Sequence, residues 1–135
     1  MSILLDTGIV YAYYDRNDAW HDRARTLVEG EELGLILPAP VVPEVDHLLR
    51  HRLGAKSHLT FYAGIVEGYY LVADLPRDSY ARVADLNRRF EDLDLGFVDA
   101  AIATLAATLG VSRVATTDRR HFGPLAASLS LQLLP

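Results

Sequence analysis

Cysteine is absent from the 135 residues, which excludes disulfides, thiolate metal ligands and a cysteine nucleophile. Positive charge is scarce: 13 Lys and Arg stand against 18 Asp and Glu, for a net charge of -5. The chain therefore lacks the overall basic character of non-specific nucleic-acid binders, and any such contact has to be local. Long apolar runs are also missing. Asp99 interrupts the longest candidate, Gly96 to Val111, so no stretch reaches the roughly 18 uncharged residues of a membrane span. Met1 leads straight into an apolar run without a basic n-region, and a cytoplasmic protein with no membrane partner is the expectation. There is no internal repeat, linker or low-complexity segment.

What is present describes one domain, residues 1–135. Half of the composition is hydrophobic, and a chain of this length buries roughly two-thirds of its unfolded surface. Short apolar runs bounded by Gly, Pro or charge predict strands at Ser2–Leu5, Gly34–Leu37, Tyr70–Ala73 and Arg113–Thr116, with an alternating edge strand over Ser128–Leu134. Helical spacing predicts Ala19–Val28 behind an Asp18 cap, Val41–Leu53, Lys56–Glu67, Ser79–Phe90 and Phe97–Leu109. In Ser79–Phe90 the inward face is expected to carry Tyr80, Val83, Ala84 and Leu86. Strands alternating with helices imply right-handed crossovers. The expected fold is an α/β, three-layer α/β/α sandwich with a short, mainly parallel sheet of Rossmann-like type.

In such a sheet, ligands bind outside the carboxyl ends of the strands, where strand order reverses. Asp6 ends the first strand, Asp118 follows the Arg113–Thr116 strand, and Glu44 follows Pro43 at the start of a helix after the second strand. Asp99 lies in the first turn of a small-residue helix whose Ala100, Ala101, Ala103 and Ala106 permit close approach to the sheet. Taken singly, each acid reads better as a helix cap or first-turn carboxylate than as a ligand. Jointly they require neutralisation, because two unit charges about 4 Å apart repel by roughly 4 kcal/mol at an effective dielectric near 20. Protonation, basic partners or a bound cation each answer that requirement. With oxygen ligands only, the cation would be Mg²⁺ or Mn²⁺ rather than zinc.

The segments Ile3-Leu4-Leu5-Asp6-Thr7, Val42-Pro43-Glu44-Val45, Leu95-Gly96-Phe97-Val98-Asp99-Ala100 and Ala115-Thr116-Thr117-Asp118-Arg119-Arg120-His121-Phe122 together resemble the acidic motifs of PIN domains, in particular the VapC-type ribonuclease toxins. The likeness runs through essentially the whole chain, with Gly8 and Pro43 as looser matches. It implies a PIN-like fold, a Mg²⁺- or Mn²⁺-dependent endoribonuclease, an antitoxin partner and a homodimer. By that resemblance Asp6 and Asp99 are the main metal ligands, Glu44 and Asp118 complete the set, and Thr116 or Thr117 holds a carboxylate or water, with Thr7 beside them. Cleavage by metal-activated water would leave a 5′-phosphate and a 3′-hydroxyl, with Glu44 orienting or deprotonating the water.

Arg119 and Arg120 follow Asp118, and Arg16 lies a short loop beyond the first helix, so a local basic rim for RNA is an expectation. Tyr11 and Tyr14 are expected in the core or lining a groove, and Trp20 as an exposed anchor for a partner. His47 and His51 have zinc-pair spacing without a third ligand and read as helix-surface residues. His21, His58 and His121 form no recognisable constellation, although His121 lies near Asp118. Phe61, Tyr62, Ile65, Val66, Tyr69 and Tyr70 suggest a dimer face. Three rival readings compete. A catalytically inactive PIN-like RNA-binding or regulatory module keeps the metal and cuts nothing. An aspartic protease read from Asp6-Thr7-Gly8 demands an all-β chain. A receiver-like module needs a lysine after a late strand, and the only lysine is Lys56.

Overall fold

A computed structural model of the protein describes residues 1–30 and 34–135. The strands are β1 (Ser2–Leu5), β2 (Gly34–Pro38), β3 (Leu71–Ala73), β4 (Arg113–Ala115) and β5 (Gln132–Leu134). The helices are α1 (Thr7–Tyr14), α2 (His21–Val28), α3 (Val41–Arg52), α4 (Ala55–Val66), α5 (Tyr80–Arg89), α6 (Phe97–Leu109) and α7 (Arg119–Leu129). The strands make one sheet in the order β3-β2-β1-β4-β5, with every pairing parallel. Right-handed crossovers put the helices between β1 and β3 on one face and those between β3 and β5 on the other. Their packing agrees: α1 lies against α2 and α3, and α3 against α4, while α6 lies against α5 and α7. This is the expected three-layer sandwich.

Ile3, Leu4 and Leu5 are fully buried because a central parallel strand is covered on both faces, which is why β1 reads as a continuous apolar run. β3 sits at the sheet edge and leaves Leu71 and Val72 exposed. In α1 the residues Ile9 to Ala12 are all buried, so this helix carries no polar stripe to mark it. α6 inserts Ala100 to Ala106 as an unbroken buried run, small enough for the helix to lie close against the sheet.

Three local expectations change. The predicted strand over Ser128–Leu134 is the end of α7 followed by β5, which is limited to Gln132–Leu134. Gly123-Pro124 reads as a helix breaker, yet Asp118 caps the start of α7 and Phe122 and Leu125 are fully buried beneath it. In α5 only Val83 and Leu86 face the core. Tyr80 is exposed and stacks on the exposed Phe97, while Ala84 faces solvent. α2 starts at His21, because the Asp18 carboxylate accepts from the Trp20 amide at 2.8 Å and closes a turn before the helix.

Candidate metal centre

The strand order reverses between β1 and β4, and β1 and β4 deliver two acids to the same edge. Asp6 is the first residue after β1 and caps α1, where its Oδ1 accepts from the Thr7 amide at 2.7 Å. Its Oδ2 accepts from the Thr116 hydroxyl at 2.8 Å. The same Thr116 oxygen accepts from the Asp118 amide at 2.9 Å, so one buried threonine ties the ends of β1 and β4 together. Asp118 caps α7. Asp99 comes from the first turn of α6 and Glu44 from the first turn of α3. The Thr7 hydroxyl donates to Glu44 Oε1 at 2.5 Å, which aims the glutamate at the same edge.

The four acids share one electrostatic neighbourhood. Burial pushes Asp6 up to about 6, with the charges of Asp118 and Glu44 adding to the shift and hydrogen bonds from Thr116 and Thr7 opposing it. Burial likewise pushes Asp99 up to about 7, reinforced by the charges of Asp6, Asp118 and Glu44. Asp118 behaves differently. Burial acts against its charge, but hydrogen bonds from the His121 ring and backbone hold it below the usual carboxylate range. A cluster in which two carboxyls resist ionisation near neutral pH is a fit for a divalent cation, since bound positive charge replaces the missing protons.

His121 belongs to this edge, and sequence reasoning left it out. Its Nδ1 lies 2.7 Å from Asp118 Oδ2 and its backbone amide donates to Asp118 Oδ1 at 3.2 Å. Ligand atoms of Asp99, Asp118 and His121 lie within 4.8 Å of one another. The signal was the Asp118-x-x-His121 spacing, which puts the third helical residue beside the cap, as in a capping box. The His121 ring is held above the usual histidine range, first by its hydrogen bond to Asp118 and then by the charges of Asp118 and Asp99.

Other expected residues land less centrally. Thr117 stands against α1, where a Cβ on Gly8 would collide with the Thr117 hydroxyl. The glycine that looked like a loose match is thus needed for the close approach of α1 to the β4–α7 turn. Arg120 is exposed beside Asp118. Arg119 donates to the Pro135 carbonyl oxygen at 2.6 Å, so it anchors the chain terminus. Arg16 follows α1, a helix that leads away from the acids for roughly 12 Å at 1.5 Å per residue. It is therefore at the opposite end of that helix from the cluster. Tyr11 is buried and Tyr14 half-buried, as expected, and the Tyr14 and Tyr70 hydroxyls meet at 2.9 Å. Trp20 is half-buried against the core with the Arg23 guanidinium 3.8 Å above its ring, which leaves it a poorer anchor than expected. His47 and His51 are exposed neighbours on α3, the ring of His51 bonded to the His47 carbonyl.

Thr116 offers a direct check on how the site is held. Thr116→Val keeps the shape but removes the donor to Asp6 and the acceptor for the Asp118 amide. We expect about 1–3 kcal/mol lower stability in denaturant titration. The Asp6 carboxyl also moves further upward, because a hydrogen bond to its charged form is lost, so metal binding followed by calorimetry should need a higher pH. An unchanged pH profile would show that Thr116 does not set the charge of Asp6.

The all-parallel α/β fold rules out the all-β protease reading. A family model described as PIN domain matches residues 3–126, and the chain belongs to the PIN domain family. Within it, the chain is 26% identical over 123 residues to ribonuclease VapC26 of Mycobacterium tuberculosis, which spans 91% of each protein. Among solved structures it is similar to the Mycobacterium tuberculosis toxin VapC20, described as cleaving the sarcin-ricin loop. There the TM-score is 0.82 at 20% identity, covering 90% of this chain and 94% of the other. It is also similar to FitAcB of Neisseria gonorrhoeae, with a TM-score of 0.67 at 16% identity over 98% and 96% of the two chains.

Proposed function

We propose that this protein is a divalent-metal-dependent endoribonuclease that serves as the toxin of a toxin-antitoxin pair. The observation that carries the reading is the convergence of Asp6, Glu44, Asp99 and Asp118, from four separate elements, on the carboxyl edge of the sheet at its switch point. Names of the relatives support the same substrate and role, since VapC26 is a ribonuclease and VapC20 a toxin that cleaves the sarcin-ricin loop.

Asp6 and Asp99 would hold Mg²⁺ or Mn²⁺, with Glu44 and Asp118 completing the acidic set. When bound, the cation supplies Lewis acidity, acidifying water and offsetting charge on the attacked phosphate. The protein's own residues do the rest. Thr116 fixes the rotamer of Asp6, and Thr7 fixes Glu44, which takes the proton of the attacking water. Arg120 meets a neighbouring phosphate, with Arg119 beside it and Arg16 reserved for RNA that extends past α1. The products carry a 5′-phosphate and a 3′-hydroxyl. Purified protein incubated with total RNA and Mn²⁺ or Mg²⁺ should give discrete new 5′ ends that disappear with a chelator. Metal binding without any cut would instead define a regulatory PIN-like module.

A homodimer is part of this proposal, although the face differs from the one predicted. Phe61 and Tyr70 are core residues, whereas Val66 is 85% exposed and Leu59, Tyr62, Tyr69, Leu71 and Val72 are exposed with it. This apolar surface spans α4 and the β3 edge, and it suits an isologous contact between copies. Val66→Glu should convert a dimer to a monomer in sedimentation at micromolar concentration, while leaving the melting temperature of the fold within a few degrees. A wild-type monomer under those conditions would remove the dimer from the proposal. Among the described residues, no helix is long and apolar enough to cross a membrane.

A further inference from the structure

An imidazole stands beside the acids of this centre. His121 stands in the first turn of α7 with its Nδ1 2.7 Å from Asp118 Oδ2, and Asp99, Asp118 and His121 offer ligand atoms within 4.8 Å of one another. Donors held about 2.1 Å from a common octahedral ion are themselves separated by about 3 Å when adjacent and about 4 Å when opposite. Small side-chain rotations would therefore bring all three onto one ion. Asp99 is free to take part, since its carboxylate accepts no hydrogen bond among the described residues. The contact with Asp118 holds the imidazole at this edge.

We infer that His121 supplies a nitrogen donor, together with Asp99 and Asp118, to a cation subsite of this centre, and that this donor tilts ion choice toward Mn²⁺ and away from Mg²⁺. The inference rests on the metal-dependent reading above and adds to it the class of ion selected. Imidazole suits first-row transition ions, while Mg²⁺ keeps to carboxylate, phosphate and water oxygens. A centre made of acids alone would discriminate weakly between the two. His121 makes them unequal.

The test uses the whole protein and His121→Gln, a variant that retains the α7 backbone donor to Asp118 and a polar side chain of similar reach. Mn²⁺ binding is followed by electron paramagnetic resonance, with pulsed detection of nitrogen coupling and ¹⁵N-labelled histidine to assign it to a ring. Mg²⁺ is measured by competition. The expected result is imidazole coupling in the wild type that vanishes in His121→Gln, with Mn²⁺ affinity reduced about tenfold or more and Mg²⁺ affinity changed less than about threefold. Saturable Mn²⁺ binding without ring coupling, or equal weakening of both ions, overturns the inference. An Asp6→Asn arm separates the two levels. If that variant loses Mn²⁺ while the wild type shows no ring coupling, the metal-centre reading survives and the role of His121 falls. If neither ion binds the wild type, both fall.

Discussion

Asp6→Asn is expected to lower metal-dependent RNA cleavage by about a thousandfold or more, with the fold intact. A thousandfold corresponds to about 4 kcal/mol of transition-state stabilisation at 1.36 kcal/mol per decade, within what a Lewis-acid cation contributes to phosphodiester chemistry. Asn is nearly isosteric, and its amide can still bond to the Thr7 amide and to the Thr116 hydroxyl, which has capacity as donor or acceptor. The change therefore removes charge at the most buried of the four acids without opening a cavity. Mapped 5′ ends should vanish, and the melting temperature without metal should hold or rise. Cutting at the same positions at a comparable rate would take Asp6 out of the ligand set and with it the catalytic reading.

Asp99→Asn should have the largest effect on stability and metal response. The Asp99 and Asp6 carboxyls are raised to about 7 and about 6 in the folded protein, from about 4 in the unfolded chain. Between those values the folded state binds more protons than the unfolded state, so stability falls as pH rises through that window and stays low above it. The raised His121 ring acts in the same direction, since its contribution is present at low pH and lost as pH rises through its folded value. Metal-free protein should thus melt higher near pH 5 than near pH 8, by on the order of 5 °C for a domain of this size. Asp99→Asn flattens the dependence, raises the melting temperature at pH 8, and abolishes most of the shift given by saturating Mn²⁺. An undiminished metal shift in that variant would remove Asp99 as a ligand.

The candidate centre was legible because its acids sit at element boundaries. Ile3-Leu4-Leu5-Asp6 announces a buried strand ending in a charge, and Asp99 stands out as the charge within a small-residue helix. Strand alternation with helices gave the layers, and the parallel rule gave the edge. What stayed hidden depended on tertiary packing overriding local preference. α7 forms across Gly123-Pro124 because burial of Phe122 and Leu125 outweighs a missing backbone donor. His121 enters the site only once that helix exists, so a reading that ended its structure at a strand could not find it. Phe61 and Tyr70 looked like surface aromatics because helical spacing cannot show that Gly64 lets the Tyr70 ring come close to α4 and pack on Phe61.

The hydrogen bond from Thr116 to Asp6 joins residues 110 positions apart, and β4 enters the sheet beside the strand that was made first. Closing such a span is slow relative to local pairing, since loop entropy is lost before any contact rewards it. While a ribosome is still extending the polypeptide, the early half can assemble β1 to β3 with Asp6 and Glu44 but has no Asp99 or Asp118 to oppose them. Under the proposed function, a nascent chain therefore lacks a complete acidic centre, and cleavage would begin only after the C-terminal segment has emerged and docked.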